Sequence, residues 1–241
     1  MPLSSQLGAE GFGSTAWSMV LAAAAEQSGP ALDRLCRRYW RPAYVFARRS
    51  GLPHCDAEDA TQEFFGRLLA GEWLKKADPS RGSFRAFLLT LMRNFLANRR
   101  RHDQALKRGG RQCRISLDTE GCERELAALA AAELDPARAY ERAWADCVLQ
   151  AALERLAAEQ AEAGAAARFA ALRPYLTRSP APGDYERLGA ELGLSRNQIA
   201  VSIHRCSRRF AELIRSEIAE TLVDRRHLDL ELRGLLDAMA A

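Results

Sequence analysis

The chain has 241 residues, of which 48% are hydrophobic and 27% charged, so a disordered chain is excluded and one large or two small domains fit. Alanine, leucine, arginine and glutamate dominate and β-branched residues are sparse, which predicts an all-α fold. The net charge of +4 is segregated: residues 93–114 hold eight basic residues and one acid, and residues 119–162 hold ten acids and four arginines. This segregation predicts a polyanionic partner for one part of the chain.

Targeting and metal-binding patterns are weak in this sequence. The first residues lack a basic region followed by an apolar run, and no stretch reaches the roughly 18 apolar residues of a membrane span. Six cysteines occur without CxxC or zinc-like spacing. We therefore expect a cytoplasmic protein with reduced thiols, no metal, no cofactor and no membrane partner.

The first part of the chain predicts three helices before residue 70. A helix is expected over about residues 15–26, and a second over 31–49 has an apolar side and an arginine-rich side. Asp56 is expected to cap a third helix, whose acidic first turn suits the positive end of the helix dipole. Its outward residues Asp59, Gln62 and Glu63 are either a solvated face or a docking surface for a protein.

The stretch from Phe84 to Arg101 predicts an amphipathic helix. An apolar stripe repeats at helical spacing and comprises Phe84, Phe87, Leu88, Leu91, Met92 and Phe95. Another face carries Thr90, Asn94, Asn98 and Arg101, flanked by Arg93 and Arg100. The preceding turn-rich loop, residues 78–83, includes Arg81 and Ser83 and is either a plain surface loop or a small pocket for an anion or a base.

The second part of the chain predicts a helix-turn-helix. Residues 102–134 are expected to be a flexible linker, and Asp135 with Pro136 is expected to open a long helix to about Glu162. Two further helices meet at Gly193, and Ser195 caps the second of them. That helix exposes polar residues suited to base edges and phosphates, namely Arg196, Asn197, Gln198, Ser202, Arg205, Arg208 and Arg209.

These stretches, taken in order, resemble the two-domain extracytoplasmic-function (ECF) type of bacterial sigma factor. The resemblance covers about residues 15–101 and 135–222, and it implies two small helical domains joined by the linker, with 223–241 as a helical extension. It rests on the acid-led segment from Asp56 to Phe65, the Phe84–Leu96 segment and the Asp184–Phe210 hairpin. The first resembles the segment that docks on core RNA polymerase, the second the reader of the −10 element, and the third the reader of the −35 element.

The resemblance implies a role for each set of residues. Asp59, Gln62 and Glu63 would bind core RNA polymerase. Single-stranded −10 DNA would be contacted by Arg81, Ser83, Arg93, Asn94, Asn98 and Arg101. Duplex −35 DNA would be contacted by Ser195, Arg196, Asn197, Gln198, Ser202, Arg205, Arg208 and Arg209. Promoter DNA and core polymerase would be the partners, together with an anti-sigma factor if one exists, and no small-molecule substrate is implied.

Two other functions compete with this interpretation. A stand-alone helix-turn-helix regulator would bind duplex DNA without polymerase, but it would not need the block from Asp56 to Arg101. An enzyme is disfavoured because the sequence has no nucleophile–base pair, metal cluster or phosphate loop. His204 and Cys206 are two residues apart on a helix, so they are expected to point in different directions.

Overall fold

The computed structural model describes residues 30–70, 73, 83–105, 135–220, 222 and 227–240. The helices are α1 (Pro30–Arg49), α2 (His54–Leu69), α3 (Phe84–Ala105), α4 (Pro136–Glu162), α5 (Ala166–Leu172), α6 (Asp184–Leu192), α7 (Arg196–Ala219) and α8 (Leu228–Ala240). A 3₁₀ turn, Arg173–Leu176, follows α5, and these residues contain no β-strand, so the predicted all-α fold is confirmed. The predicted helix at 15–26, most of the 78–83 loop and residues 106–134 lie outside the described residues.

Helices α1 and α2 form one side of an aromatic core. Tyr39, Tyr44 and Phe46 of α1 are buried, and Pro42 lies inside the helix. Helix α2 begins at His54 after Pro53, so the prediction that Asp56 is its N-cap is wrong; Asp56 lies in the first turn. The turn of chain between the two helices is fixed by a contact of 2.7 Å between the Tyr44 hydroxyl and His54 Nδ1.

The buried side of α2 largely follows the predicted spacing. Ala60, Phe64, Phe65 and Leu68 are buried as expected, because they recur every three to four residues. Leu69, which was expected in the same stripe, is 36% exposed because it is the last residue of the helix. The opposite side of α2 is therefore presented to solvent over most of its length.

Helix α4 joins the first three helices to the rest of the chain. Its N-cap is Asp135, whose carboxylate accepts hydrogen bonds from the backbone N–H groups of Ala137 (2.8 Å) and Arg138 (3.2 Å), as the Asp-Pro pair predicted. Tyr140 and Trp144, in its first half, are fully buried in the same apolar cluster as the cores of α1, α2 and α3. Residues on both sides of the predicted linker therefore share one core.

The second half of α4 packs on the C-terminal helices. Leu156 is buried with Phe210 and Leu213 of α7, and α8 contributes Leu235 and Ala238 to the large core. A charged network reinforces this packing: Arg38 of α1 and Arg155 of α4 both bind the buried carboxylate of Glu217 on α7. The hydrogen bond with Glu217 is the main reason that the pKa of Arg155 is raised. The C-terminal segment is thus part of the folded unit.

Two further features of the described residues are the state of the cysteines and the apolar character of the helices. Cys36, Cys147 and Cys206 are thiols, but Cys55 is disulfide-bonded, so the expectation of reduced thiols is wrong for Cys55. Among the helices described above, none combines the length and the apolar character required to cross a bilayer.

Burial of Tyr39 predicts a loss of stability at alkaline pH. Desolvation raises the pKa of Tyr39 from 10.0 to about 12, and it also raises the pKa of Tyr140. Above pH 10 the unfolded chain loses these protons first, so the folded state binds more protons and the free energy of unfolding falls as pH rises. Each tyrosine contributes a slope of up to about 1.4 kcal/mol per pH unit.

Urea unfolding at a series of alkaline pH values measures this slope. Tyr39→Phe should make the decline shallower, and Tyr185→Phe, at a half-buried site in α6, is the matched control. An equal decline in the wild type and in Tyr39→Phe would contradict the prediction.

Candidate nucleic-acid interface

Helix α3 presents one continuous polar face to solvent. Leu88, Met92 and Leu96 are buried, which turns the opposite side of the helix outward. That side carries the predicted single-strand residues Arg93, Asn94, Asn98 and Arg101, all of which are exposed. The helix continues to Ala105, one turn beyond the predicted end. Amide and guanidinium groups therefore extend along the outer surface of a helix whose inner side is fixed by the core.

The other predicted residues of this set lie at or before the start of α3. Ser83 is half-buried, and its hydroxyl oxygen accepts a hydrogen bond of 3.3 Å from the backbone N–H of Ala86, so it holds the first turn of the helix. Arg81 lies outside the described residues. The structure thus brings together four of the six predicted single-strand residues and gives Ser83 a structural contact.

The apolar stripe of α3 is narrower than the sequence predicted. Phe84, Leu88, Met92 and Phe95 are buried, whereas Phe87 and Leu91 are half-buried. These two residues lie beside the polar face, since Phe87 precedes Asn94 by two helical turns. An aromatic ring therefore lies next to the amide row, and aromatic rings are the groups on which unstacked bases pack.

A cleft of about 620 Å³ lies between α2 and α3. Asn94 and Asn98 line it together with Trp73 and Phe95, whose ring centroids are 6.1 Å apart. Arg67 also lines the cleft, and its guanidinium lies 5.6 Å from the centre of the Phe95 ring. The cleft combines flat aromatic surfaces, amides and cations, which are the groups that bind single-stranded nucleic acid.

The predicted polymerase-binding residues of α2 have different surroundings. Asp59 and Gln62 are exposed on the solvent side of the helix. Glu63 accepts hydrogen bonds from Arg67 (2.7 Å) and from Arg99 of α3 (3.1 Å). Glu63 therefore ties α2 to the wall of the cleft, while Asp59 and Gln62 extend outward.

Helices α6 and α7 are joined by a short turn at Gly193. The turn depends on Gly193, which has φ +64°, and on Gly189, where a Cβ would lie 3.0 Å from the carbonyl oxygen of Leu194. Ser195 caps α7 in a capping box: its hydroxyl accepts from the Gln198 N–H (3.3 Å), and Gln198 Oε1 accepts from the Ser195 N–H (2.8 Å). Leu188 and Ile199 pack in a small core that fixes the two helices.

Several predicted duplex-reading residues of α7 make contacts within the protein. Ser195 and Gln198 form the capping box, and the Ser202 hydroxyl donates to the Gln198 carbonyl oxygen at 2.7 Å. Arg209 donates to both carboxylate oxygens of Glu159 on α4, at 2.9 and 2.7 Å, which holds α7 against α4. The hydrogen bond with Arg209 is also the main cause of the lowered pKa of Glu159.

The outermost row of α7 includes two residues, Val201 and His204, that are outside the predicted DNA-binding set. Asn197, Val201, His204 and Arg208 follow each other at spacings of three to four residues, opposite the buried side of the helix, and Val201 is 40% exposed. A helical wheel drawn from Ile199, Ile203 and Phe210 would have identified this row. An exposed valine beside an asparagine and an arginine suits contact with a thymine methyl group and neighbouring base edges.

His204 and Cys206 lie on different sides of α7, as predicted. His204 is exposed, whereas Cys206 is buried in the contact with α4, where desolvation raises the pKa of its thiol. The pair therefore cannot act as a thiol–imidazole nucleophile.

The capping box predicts a structural rather than a reading role for Ser195. Ser195→Ala should lower the free energy of unfolding by about 1 kcal/mol because a backbone donor at the start of α7 loses its acceptor. Ser195→Asp, which keeps an acceptor, is the matched control, and thermal or urea unfolding measures both. Unchanged stability combined with altered DNA binding would show that the hydroxyl reads DNA instead.

A protein-family model matches the segment that contains the first three helices. Residues 25–105, about a third of the chain, match the family model of Sigma-70 region 2. No curated protein and no solved structure matched the chain. The matched segment contains α1, α2 and α3, with the polar face, the cleft and the outward residues of α2. The match supports a sigma-factor relationship for this protein, and it indicates a role with core RNA polymerase in transcription initiation.

Proposed function

We propose that this protein is a cytoplasmic sigma factor of the ECF type that directs core RNA polymerase to specific promoters. The observation that carries the proposal is the Sigma-70 region 2 match over a segment whose α3 exposes Asn94, Asn98 and Arg101. In this proposal residues 15–101 act on polymerase and the −10 element, residues 102–134 tether, and residues 135–222 read the −35 element. The protein acts by binding and not by catalysis.

The proposed −10 surface is the polar face of α3 together with the cleft between α2 and α3. Unpairing and unstacking a base costs a few kcal/mol. Stacking on aromatic groups and contacts from cations to the backbone offset this cost. Asn94 and Asn98 line the cleft beside Trp73 and Phe95, so an unstacked base there meets both a flat surface and hydrogen-bonding amides.

The proposed −35 surface is the outer row of α7. Asn197 and Arg208 offer hydrogen bonds to base edges or phosphates, and Val201 offers an apolar contact. Arg196 and Arg205 are also exposed and would contact the DNA backbone. In this arrangement Ser195, Gln198 and Arg209 position the helix, and their neighbours contact the DNA.

The proposed polymerase surface is the outer side of α2. Asp59 and Gln62 are exposed there, and an acidic helix face suits a basic surface on polymerase. Glu63 belongs to the same side but also binds Arg67 and Arg99. Asp59 therefore provides the cleaner test of docking, because its substitution leaves this ion-pair network intact.

Charge reversal at Asp59 tests polymerase docking. Asp59→Arg should weaken binding to core polymerase by about tenfold or more, because a basic partner would then face a like charge. Glu162→Arg, a reversal at the exposed end of α4, is the matched control. Affinity for core polymerase and mapped transcripts from genomic DNA are the two measurements.

The same transcription assay separates the proposal from a stand-alone regulator. A sigma factor creates new transcript starts when it is added to core polymerase. Starts that core polymerase already makes alone, unchanged by the protein, would contradict the proposal. Tight duplex binding without polymerase would then favour the regulator.

Removal of the two amides tests the −10 surface. Asn94→Ala with Asn98→Ala should weaken binding to single-stranded promoter DNA by about thirtyfold, since each of the two lost hydrogen bonds is worth about 1 kcal/mol. Gln150→Ala, which removes an exposed amide from α4, is the matched control. Fluorescence anisotropy with polymerase-bound protein measures the effect, and equal affinities for both variants would exclude α3 as the strand reader.

A further inference from the structure

Arg85 is an unusual member of α3 because its side chain points away from the polar face. Its guanidinium donates to both oxygens of Glu231 on α8, at 3.1 and 3.2 Å, and it also forms an ion pair with Glu141 of α4. The cation lies 4.4 Å from the centre of the buried Trp144 ring. Its side chain is 13% exposed, so three helices enclose this charge.

Helix α8 packs directly against this guanidinium. A Cβ placed on Gly234 would lie 3.1 Å from Arg85 Nη2, so glycine allows the close approach of the two groups. Glu231, Leu235 and Ala238 form the buried side of α8. Arg142 of α4 donates to the Met239 carbonyl oxygen at 2.9 Å. The helix is therefore held by apolar contacts around one central ion pair.

The position and charge of α8 suggest what it does. Arg85 is the second residue of α3, so α8 covers the end of the helix that follows Ser83 and the 78–83 loop. Helix α8 contains Asp229, Glu231 and Asp237 against one arginine. Of these acids, Glu231 faces the start of α3 through Arg85, whereas Asp229 lies beside Arg215 of α7.

An enclosed arginine needs an anionic partner at all times. Glu141 of α4 stays beside Arg85 if α8 leaves, but the guanidinium donors that Glu231 releases then need water or another anion. A phosphate offers a guanidinium the same paired hydrogen bonds as a carboxylate. Nucleic acid at the start of α3 and α8 on Arg85 would therefore exclude each other.

We propose that α8 is an autoinhibitory segment that single-stranded DNA displaces, with Arg85 exchanging the Glu231 carboxylate for a backbone phosphate. This inference rests on the proposed function and adds a regulatory role for the C-terminal helix. By linkage, docked α8 weakens strand binding by the same factor by which bound strand weakens the docking of α8.

A pair of substitutions on α8, each of which removes one negative charge, tests the exchange in the full chain. Glu231→Gln weakens the contact between α8 and Arg85. Asp229→Asn removes an equal charge from an 83% exposed side chain of the same helix. Both variants change the net charge equally, so long-range attraction to DNA cancels in their comparison. Glu231→Gln should bind a short mixed-sequence single-stranded oligonucleotide about fivefold more tightly than Asp229→Asn at low salt.

Two further variants separate displacement from a loss of packing. Gly234→Ala crowds Arg85 without changing charge and should also tighten strand binding. With Arg85→Gln present, Glu231→Gln should give no gain, because the phosphate-binding group is absent. Hydrogen exchange of residues 228–240 should be faster in Glu231→Gln, and in the wild type it should become faster when the oligonucleotide is added.

The outcomes are decisive for α8. Equal strand affinities of Glu231→Gln and Asp229→Asn would overturn the proposal, and so would unchanged exchange of residues 228–240 at saturating oligonucleotide. Failure of the sigma-factor function would appear separately, as an absence of new transcript starts with core polymerase for the wild type and for Glu231→Gln. A failure confined to α8 would leave those transcripts in place.

Discussion

The burial of Trp144 is the contact on which the rest of the structure depends. Its indole lies fully inside the core shared by α1, α3 and α4, and the Arg85 guanidinium covers its ring. Large aromatic side chains contribute the most buried area per residue, so this position anchors the long helix α4 to the first three helices. Because α7 packs on α4 through Leu156 and Glu159, the same anchor also determines the position of α7.

The proposed site uses the two sides of α3 for different purposes. The buried side fixes the backbone, and the outer side presents amides and arginines that need no rearrangement before they meet a strand. Preorganisation of this kind reduces the ordering cost of binding. The Glu63–Arg99 ion pair adds to it by holding α2 at a set distance from the polar face. The cleft between the two helices is therefore part of the same rigid unit.

Sequence periodicity predicted the helices well and the contacts between distant helices poorly. The caps at Asp135 and Ser195 and the polar face of α3 follow local rules, so they were readable from spacing. The ion pair between Arg85 and Glu231 joins residues 146 positions apart, and no local sequence pattern around Arg85 indicates it. The same limit applies to Arg209, which the sequence assigned to DNA and the structure pairs with Glu159.

Because of these distant ion pairs, the arginine content alone does not measure how many cations face a DNA partner. Arg38, Arg85, Arg155 and Arg209 are paired with carboxylates inside the protein, whereas Arg93, Arg101, Arg196 and Arg205 are exposed on the proposed DNA surfaces. Each phosphate contact contributes a modest, salt-sensitive gain, and so few exposed cations on each surface give weak binding at physiological salt. Promoter binding by such a protein therefore requires a second, linked source of contacts. In the proposed function, core polymerase bound to α2 would supply that link by raising the effective concentration of DNA at α3 and α7.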